Sequence, residues 1–296
     1  MKQIMKTSFL IFSFGLLAGK LNAQDAIFIK KIGVKGSPIL FLPHIGCDAS
    51  MWQSIAENYA QTNTCYLFDF AGFAGKPALK GNYTENYVSS LVKFITDNNL
   101  KECILIGQNY GAFVATKVAE KLPASVKFLV LTDFFPKLSM VLGKNLSQEK
   151  LDNILASIKQ NILETDSLSF ATYQRQMATG MNYMDSSFVP EFVYWQMKSD
   201  RQTLSGTLIE QMSADLLPYF EKNKIPTLVF STWYFAKSFK KMPMSDAEET
   251  LSGMYPQAKN VQHAITENAK DFIACDQPVW FTAQLDQFLK QKRGAK

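Results

Sequence analysis

The chain has 296 residues, of which 47% are hydrophobic, 13% aromatic and 19% charged. This composition excludes an intrinsically disordered protein and supplies a core for one large domain, or for one domain with an insertion. The formal net charge is +5, but three lysines lie within the first 23 residues, so the remainder carries about +2. Because no basic stripe runs along the chain, nucleic acid is not predicted as a partner.

Residues 1–23 are predicted to be a cleavable signal peptide. Lys2 and Lys6 precede an apolar run over 7–19, and Ala23 provides a small residue before the expected cut. The run is shorter than the roughly 20 apolar residues of a membrane span, and no cysteine follows it to carry a lipid anchor. We therefore expect a periplasmic or extracellular protein that has no membrane span after cleavage.

The cysteines do not indicate a metal or redox site. None of their spacings matches a Cys-x-x-Cys motif, and two of them begin predicted buried strands, where cysteine behaves as a small apolar residue. We predict four free thiols and neither a metal nor a cofactor. The four residues are Cys47, Cys65, Cys103 and Cys275.

Strands and helices alternate over the first half of the chain and again near its end. Strands are expected at 26–34, 39–42, 65–70, 104–106, 127–131, 225–230 and 260–265. Helices are expected at 50–59, 85–98, 246–255 and 278–290, with one more directly after the turn that follows the strand at 104–106. Most of these strands are continuous apolar runs, which indicates a sheet covered on both faces. The pattern predicts an α/β fold with a doubly wound, mostly parallel sheet.

Residues 137–220 interrupt that alternation with helices alone, expected at 148–163, 169–178, 190–198 and 204–217. We interpret this segment as a helical cap inserted into a core made of 24–136 and 221–296. The segment is rich in methionine and aromatic residues. Two explanations stay open: packing among the helices, or a flexible apolar lining for a ligand.

A strand, a sharp turn and a helix meet at Gly107-Gln108-Asn109-Tyr110-Gly111. Glycines two positions either side of the apex allow the strand and helix to pack closely, which is the layout of a nucleophile elbow. Serine usually occupies the apex of such an elbow, but this chain has Asn109 there.

Three further segments, in order, make the chain resemble the α/β-hydrolase family over its whole length beyond residue 23. They are the loop 42–52, the turn 69–75 and the loop 267–273 before the last helix. The resemblance implies a triad of serine, acid and histidine. Asn109 stands at the serine position and Asp271 at the histidine position. No Asp or Glu occurs from 225 to 245, where the acid usually lies, so Asp133 after the preceding strand is the candidate acid.

The resemblance also implies an oxyanion site formed by the backbone N–H groups of Ile45 and Tyr110. His44 occupies a position in the same loop that is usually glycine. It is poorly placed as a base for residue 109, and the other histidine, His263, lies within a predicted strand and is interpreted as structural. These replacements leave no general base of the usual kind.

An amide nitrogen is not a nucleophile near neutral pH. We therefore predict a pseudoenzyme: an exported protein of this fold that binds a small apolar molecule under the cap. In this hypothesis the Asn109 amide donates a hydrogen bond to Asp271. The oligomeric state stays open.

Two alternatives remain. The first is a hydrolase in which Asp271 is the general base and Asn109 orients the substrate. The family resemblance implies an ester or amide substrate with a hydrophobic acyl group, such as an acyl ester. The second is a cation site built from Asp48, Asp133 and Asp271.

Overall fold

The computed structural model describes residues 25–137, 139 and 146–293. The expected signal peptide, residues 1–23, lies outside them. Across the described residues, no helix combines the length and apolar character needed to cross a membrane.

A seven-stranded sheet lies at the centre of the described chain, in the order β1-β3-β2-β4-β5-β6-β7. All neighbouring strands are parallel except β1, which pairs antiparallel with β3. The predicted fold class is thereby confirmed. The strands are β1 Ile27–Ile32, β2 Pro38–Leu42, β3 Thr64–Phe70, β4 Cys103–Gln108, β5 Val126–Thr132, β6 Thr227–Thr232 and β7 Val261–Thr266.

Hydrophobic burial on both faces of the sheet explains this architecture. Strand β4 is buried along its whole length, whereas β1 exposes Lys30 and Lys31 at the edge, where charged side chains oppose pairing with another chain. Helices α2 Tyr83–Asp97 and α3 Tyr110–Lys121 pack on one face, and α1 Gln53–Tyr59 and α12 Pro278–Arg293 pack on the other.

The chain between β5 and β6 forms no strand among its described residues. We call its helices the insertion helices: α4 Gln148–Glu164, α5 Ser167–Met177, α6 Val189–Lys198, α7 Arg201–Ser213 and α8 Leu217–Lys222. A π-helical turn, Ala178–Asn182, follows α5. The helix predicted over 204–217 is two helices, because Asp215 caps the backbone N–H of Leu217 and Pro218 lies in the first turn of α8.

Three short helices complete the structure after β6: α9 Tyr234–Lys240, α10 Ala247–Ser252 and α11 Ile273–Asp276. No helix was predicted at α9. It contains no buried residue, so its sequence carries no apolar period that would reveal it.

Candidate functional site

The elbow predicted at residues 107–111 is present. Strand β4 ends at Gln108, α3 begins at Tyr110, and Asn109 between them has φ 48° and ψ −105°. A Cβ atom on Gly107 would clash with the backbone of Gly111, and one on Gly111 would clash with the backbone of Leu42. The two glycines therefore permit the close packing that forces residue 109 into a strained conformation, which asparagine tolerates better than most residues.

The Asn109 side chain contacts the candidate acid. Its Nδ2 donates to Oδ2 of Asp133 at 3.3 Å and lies 3.5 Å from the Asp133 carbonyl oxygen. Asp133 follows β5 with φ 47°, and its backbone N–H donates to the carbonyl of Phe230 at 3.1 Å. The expected hydrogen bond from Asn109 to Asp271 is wrong, because the turn at Asp133 brings the nearer carboxylate to this amide.

Backbone contacts hold the loop that carries Asp271. Its carbonyl accepts a hydrogen bond from Nε2 of Gln108 at 2.9 Å. The N–H groups of Asp271 and Phe272 donate to the carbonyls of Met181 and Asn182 in the π-helical turn, at 3.3 and 3.0 Å. The Asp271 carboxyl group lines the cavity and has no hydrogen-bond partner among the described residues.

Burial dominates the electrostatics of the two carboxyl groups. It raises the pKa of Asp133 to about 6, against the opposing hydrogen bond from Asn109. Burial also raises the pKa of Asp271 well above its usual range, and the charges of Asp133 and Asp276 add to this effect while Lys270 opposes it. Because the charge of Asp133 raises the pKa of Asp271, Asp133 is the carboxyl group of the two that ionises more readily.

His44 is a neutral residue of the cavity wall. Burial lowers the pKa of His44 to about 4, although its contact with the Ile45 carbonyl opposes the change. Nδ1 lies 2.9 Å from that carbonyl oxygen, which only accepts, so Nδ1 carries the proton. The ring packs against Phe272 and Phe192, at centroid distances of 5.0 and 6.2 Å.

The two amides expected to form an oxyanion site are available as donors. The Tyr110 N–H belongs to the first residue of α3 and has no acceptor within the helix, and the Ile45 N–H has none among the described residues. The Tyr110 side chain points elsewhere, since its hydroxyl lies 2.8 Å from Oγ1 of buried Thr84. Tyr110 can therefore serve the site only through its backbone.

A cavity of about 530 Å³ lies between the elbow and the insertion helices. Five of the six predicted site residues line it: His44, Ile45, Asn109, Asp133 and Asp271. The other lining residues come from the insertion, and sequence reasoning did not single out most of them because they are ordinary aliphatic or amide residues of helices. Among these are Ile158, Asn161, Ile162, Thr165, Phe170, Gln174, Leu204 and Leu208.

The methionine and aromatic residues of the insertion are divided between the cavity lining and the packing of the helices. Met177 and Phe192 line the cavity. Tyr183 and Trp195 instead pack in a cluster of their own with Phe272, outside the cavity lining. Much of this apolar surface therefore holds the helices to each other and to the loop after β7.

The cation site proposed from three aspartates is wrong. Asp48 is 3.7 Å from the ammonium of Lys76, which also pairs with Asp69, and it is not part of the cavity lining. In the part of the chain that the structure describes, no three His, Cys, Asp or Glu side chains are arranged to hold a metal ion. His263 lies on β7 against the ring of Tyr255, also away from the cavity lining.

Similarity at the sequence level is confined to about a third of the chain. No protein-family model matches it. The chain is 28% identical over 101 residues to abhydrolase domain-containing protein abhd-5.2 of Caenorhabditis elegans, covering 32% of this chain and 23% of that protein. It is 33% identical over 91 residues to the biotin biosynthesis bifunctional protein BioHC of Cellvibrio japonicus, covering 30% and 17%. The matched part thus spans less than a quarter of either relative.

Similarity of structure extends over nearly the whole chain. An esterase from Exiguobacterium antarcticum has a TM-score of 0.71 at 16% identity, covering 89% of this chain and 95% of that one. A thermophilic esterase from Thermogutta terrifontis has a TM-score of 0.69 at 17% identity, covering 90% and 93%. At these identities the likeness shows a shared fold.

Proposed function

We propose that the chain, whose fold is that of the α/β-hydrolases, is an exported member of that superfamily without Ser-His-Asp chemistry that binds a small apolar molecule beside Asn109. One observation carries this proposal: an amide occupies the apex of the elbow and donates to the acid, Asp133. The position where other members activate a nucleophile is occupied here by an uncharged amide that donates a hydrogen bond to a carboxylate.

The chemistry of these groups supports binding over turnover. An amide nitrogen does not attack a carbonyl carbon, and a carboxyl group stands where the general base is expected. In a serine protease, loss of the nucleophile or the histidine lowers kcat by about 10⁶-fold, and the residual about 10³–10⁴-fold over water comes from the oxyanion site and binding. Weak hydrolysis by this protein would therefore not establish an enzyme.

The cavity supports the binding half of the proposal. Its volume of about 530 Å³ falls within the roughly 300–1,000 Å³ typical of small-molecule sites. Aliphatic and aromatic side chains of α4, α5 and α7 form part of one wall together with amide and hydroxyl side chains of the insertion, and the two carboxyl groups lie on the elbow side. An apolar molecule would place its body along the helices and its polar end at the elbow.

Displacement of a fluorescent probe tests binding. We expect N-phenyl-1-naphthylamine, an apolar fluorophore, to bind the purified wild-type protein. It should bind Leu208→Trp much more weakly, because the larger side chain fills the cavity. The matched control is Leu168→Trp, at a side chain that is 78% exposed on α5, with thermal melting to verify folding of both. Equal probe binding by both variants would contradict the proposal.

The alternative, a hydrolase that uses Asp271 as general base, is favoured by one observation: this carboxyl group faces the cavity without a hydrogen-bond partner among the described residues. Because its pKa is raised, the base form increases with pH, and so would the rate. A series of p-nitrophenyl esters would decide. Turnover by the wild type well above Asn109→Ala and Asp271→Asn would favour the enzyme, and background rates in all three would favour binding alone.

A further inference from the structure

The charged groups of the cavity lining are of one sign. Among the residues that the structure describes, the lining contains the carboxyl groups of Asp133 and Asp271, the neutral imidazole of His44, and no lysine or arginine. With Asp133 mostly ionised at neutral pH, the wall of the cavity carries negative charge. A ligand that enters must be compatible with that charge.

No lysine or arginine of the described residues forms an ion pair with Asp133 or Asp271. The ammonium of Lys270, next to Asp271 in sequence, donates a hydrogen bond to the carbonyl of Thr179 at 2.5 Å. It also lies over the ring of Tyr234, 5.5 Å from the centroid. The Asp271 carboxyl group accepts no hydrogen bond among the described residues, and the one side-chain donor to Asp133 is the uncharged Asn109 amide.

Asp69, which is also largely shielded from water, shows how a carboxylate of this chain is stabilised by a cation. Asp69 lies 2.9 Å from the ammonium of Lys76 and accepts a hydrogen bond from the backbone N–H of Ala49 at 2.6 Å. Buried carboxylates are normally paired in this way, because an isolated charge away from water is costly. Among the described residues, neither Asp133 nor Asp271 has a cationic partner, and both line the cavity.

We infer that the ligand of this cavity is an apolar amine, whose ammonium group lies between Asp133 and Asp271 and whose chain lies along the insertion helices. This inference rests on the proposed function, since it names the ligand class of the same cavity. The ammonium provides for these two carboxyl groups what Lys76 provides for Asp69. A carboxylate ligand of the same length is repelled by like charge, and an alcohol can donate one hydrogen bond to Asp133 but brings no opposite charge.

The test compares decylamine, decanol and decanoate as competitors of N-phenyl-1-naphthylamine at pH 7.5. We expect decylamine to bind about 10-fold more tightly than decanol, because only the ammonium adds an ion pair with Asp133 and has further N–H donors for Asp271. Decanoate is expected to be the weakest. In Asp271→Asn and in Asp133→Asn the preference for the amine should fall to about 3-fold or less.

Asp152→Asn is the matched control, since it removes a carboxylate from the exposed face of α4 and should leave the amine preference unchanged. Thermal melting identifies any variant that fails to fold, and the two aspartate variants provide independent readings. Decanol binding as tightly as decylamine, or an amine preference retained in both cavity variants, would overturn the inference and leave the proposed function intact. Failure of all three competitors to displace the probe would overturn both.

Discussion

Asp133→Asn should stabilise the folded protein, and the gain should depend on pH. The folded-state pKa of Asp133 is raised from 3.8 to about 6. Because one pKa unit corresponds to about 1.4 kcal/mol, ionising this group in the folded protein costs about 3 kcal/mol. This destabilising cost is absent below pH 4, grows as the pH rises towards the folded-state pKa, and is complete above that pKa. Stability is therefore lost with increasing pH, since the folded state holds the proton more tightly.

Urea unfolding at pH 4.5 and pH 7.5 measures this effect. About 2 kcal/mol of the cost develops between these two values, so the advantage of Asp133→Asn over wild type should increase by about that amount. Loss of the hydrogen bond from Asn109 subtracts about 1 kcal/mol at both pH values and cancels in the difference. Asp152→Asn, at an exposed position, should show no such change. The reasoning fails if Asp133→Asn and wild type keep the same separation at both pH values.

Three other outcomes are expected. Asn109→Ser combined with Asp271→His should hydrolyse p-nitrophenyl butyrate faster than Asn109→Ser alone, because the serine needs a base; equal rates would show that the site is too far from a working geometry. Gly111→Ala should lower the free energy of unfolding in urea by about 1–3 kcal/mol, because its Cβ meets backbone, whereas Gly180→Ala, with open space around it, should be nearly neutral. Nitrogen NMR should show His44 neutral with its proton on Nδ1 at pH 6; a charged ring there would contradict the burial argument.

The sequence was sufficient to predict the sheet because buried parallel strands are continuous apolar runs, and the elbow because its two glycines have a fixed spacing. It was sufficient to bring Asn109, Asp133 and Asp271 under consideration, since they occupy positions that the family resemblance marks. It was not sufficient to say which carboxylate receives the Asn109 amide. The choice of carboxylate depends on the positive φ at Asp133, which no local sequence pattern predicts.

The cavity wall contributed by the insertion was equally hidden from sequence reasoning. Ile158 and Leu208 have the same apolar character as residues that pack helix against helix, so a pattern of burial cannot distinguish a cavity from a core. The division between α7 and α8 also depended on a single capping residue, Asp215. Such contacts are decided by tertiary geometry.

The hydrogen bonds that tie Asp271 and Phe272 to Met181 and Asn182 have a mechanical consequence. They join the loop after β7 to the insertion, so the two move as one body for as long as these bonds persist. A displacement that widens the cavity by lifting the π-helical turn would carry the Asp271 carboxyl group away from Asp133. Access to the interior and the separation of the two carboxyl groups would then be a single motion, and the open form would weaken the effect by which the charge of Asp133 raises the pKa of Asp271.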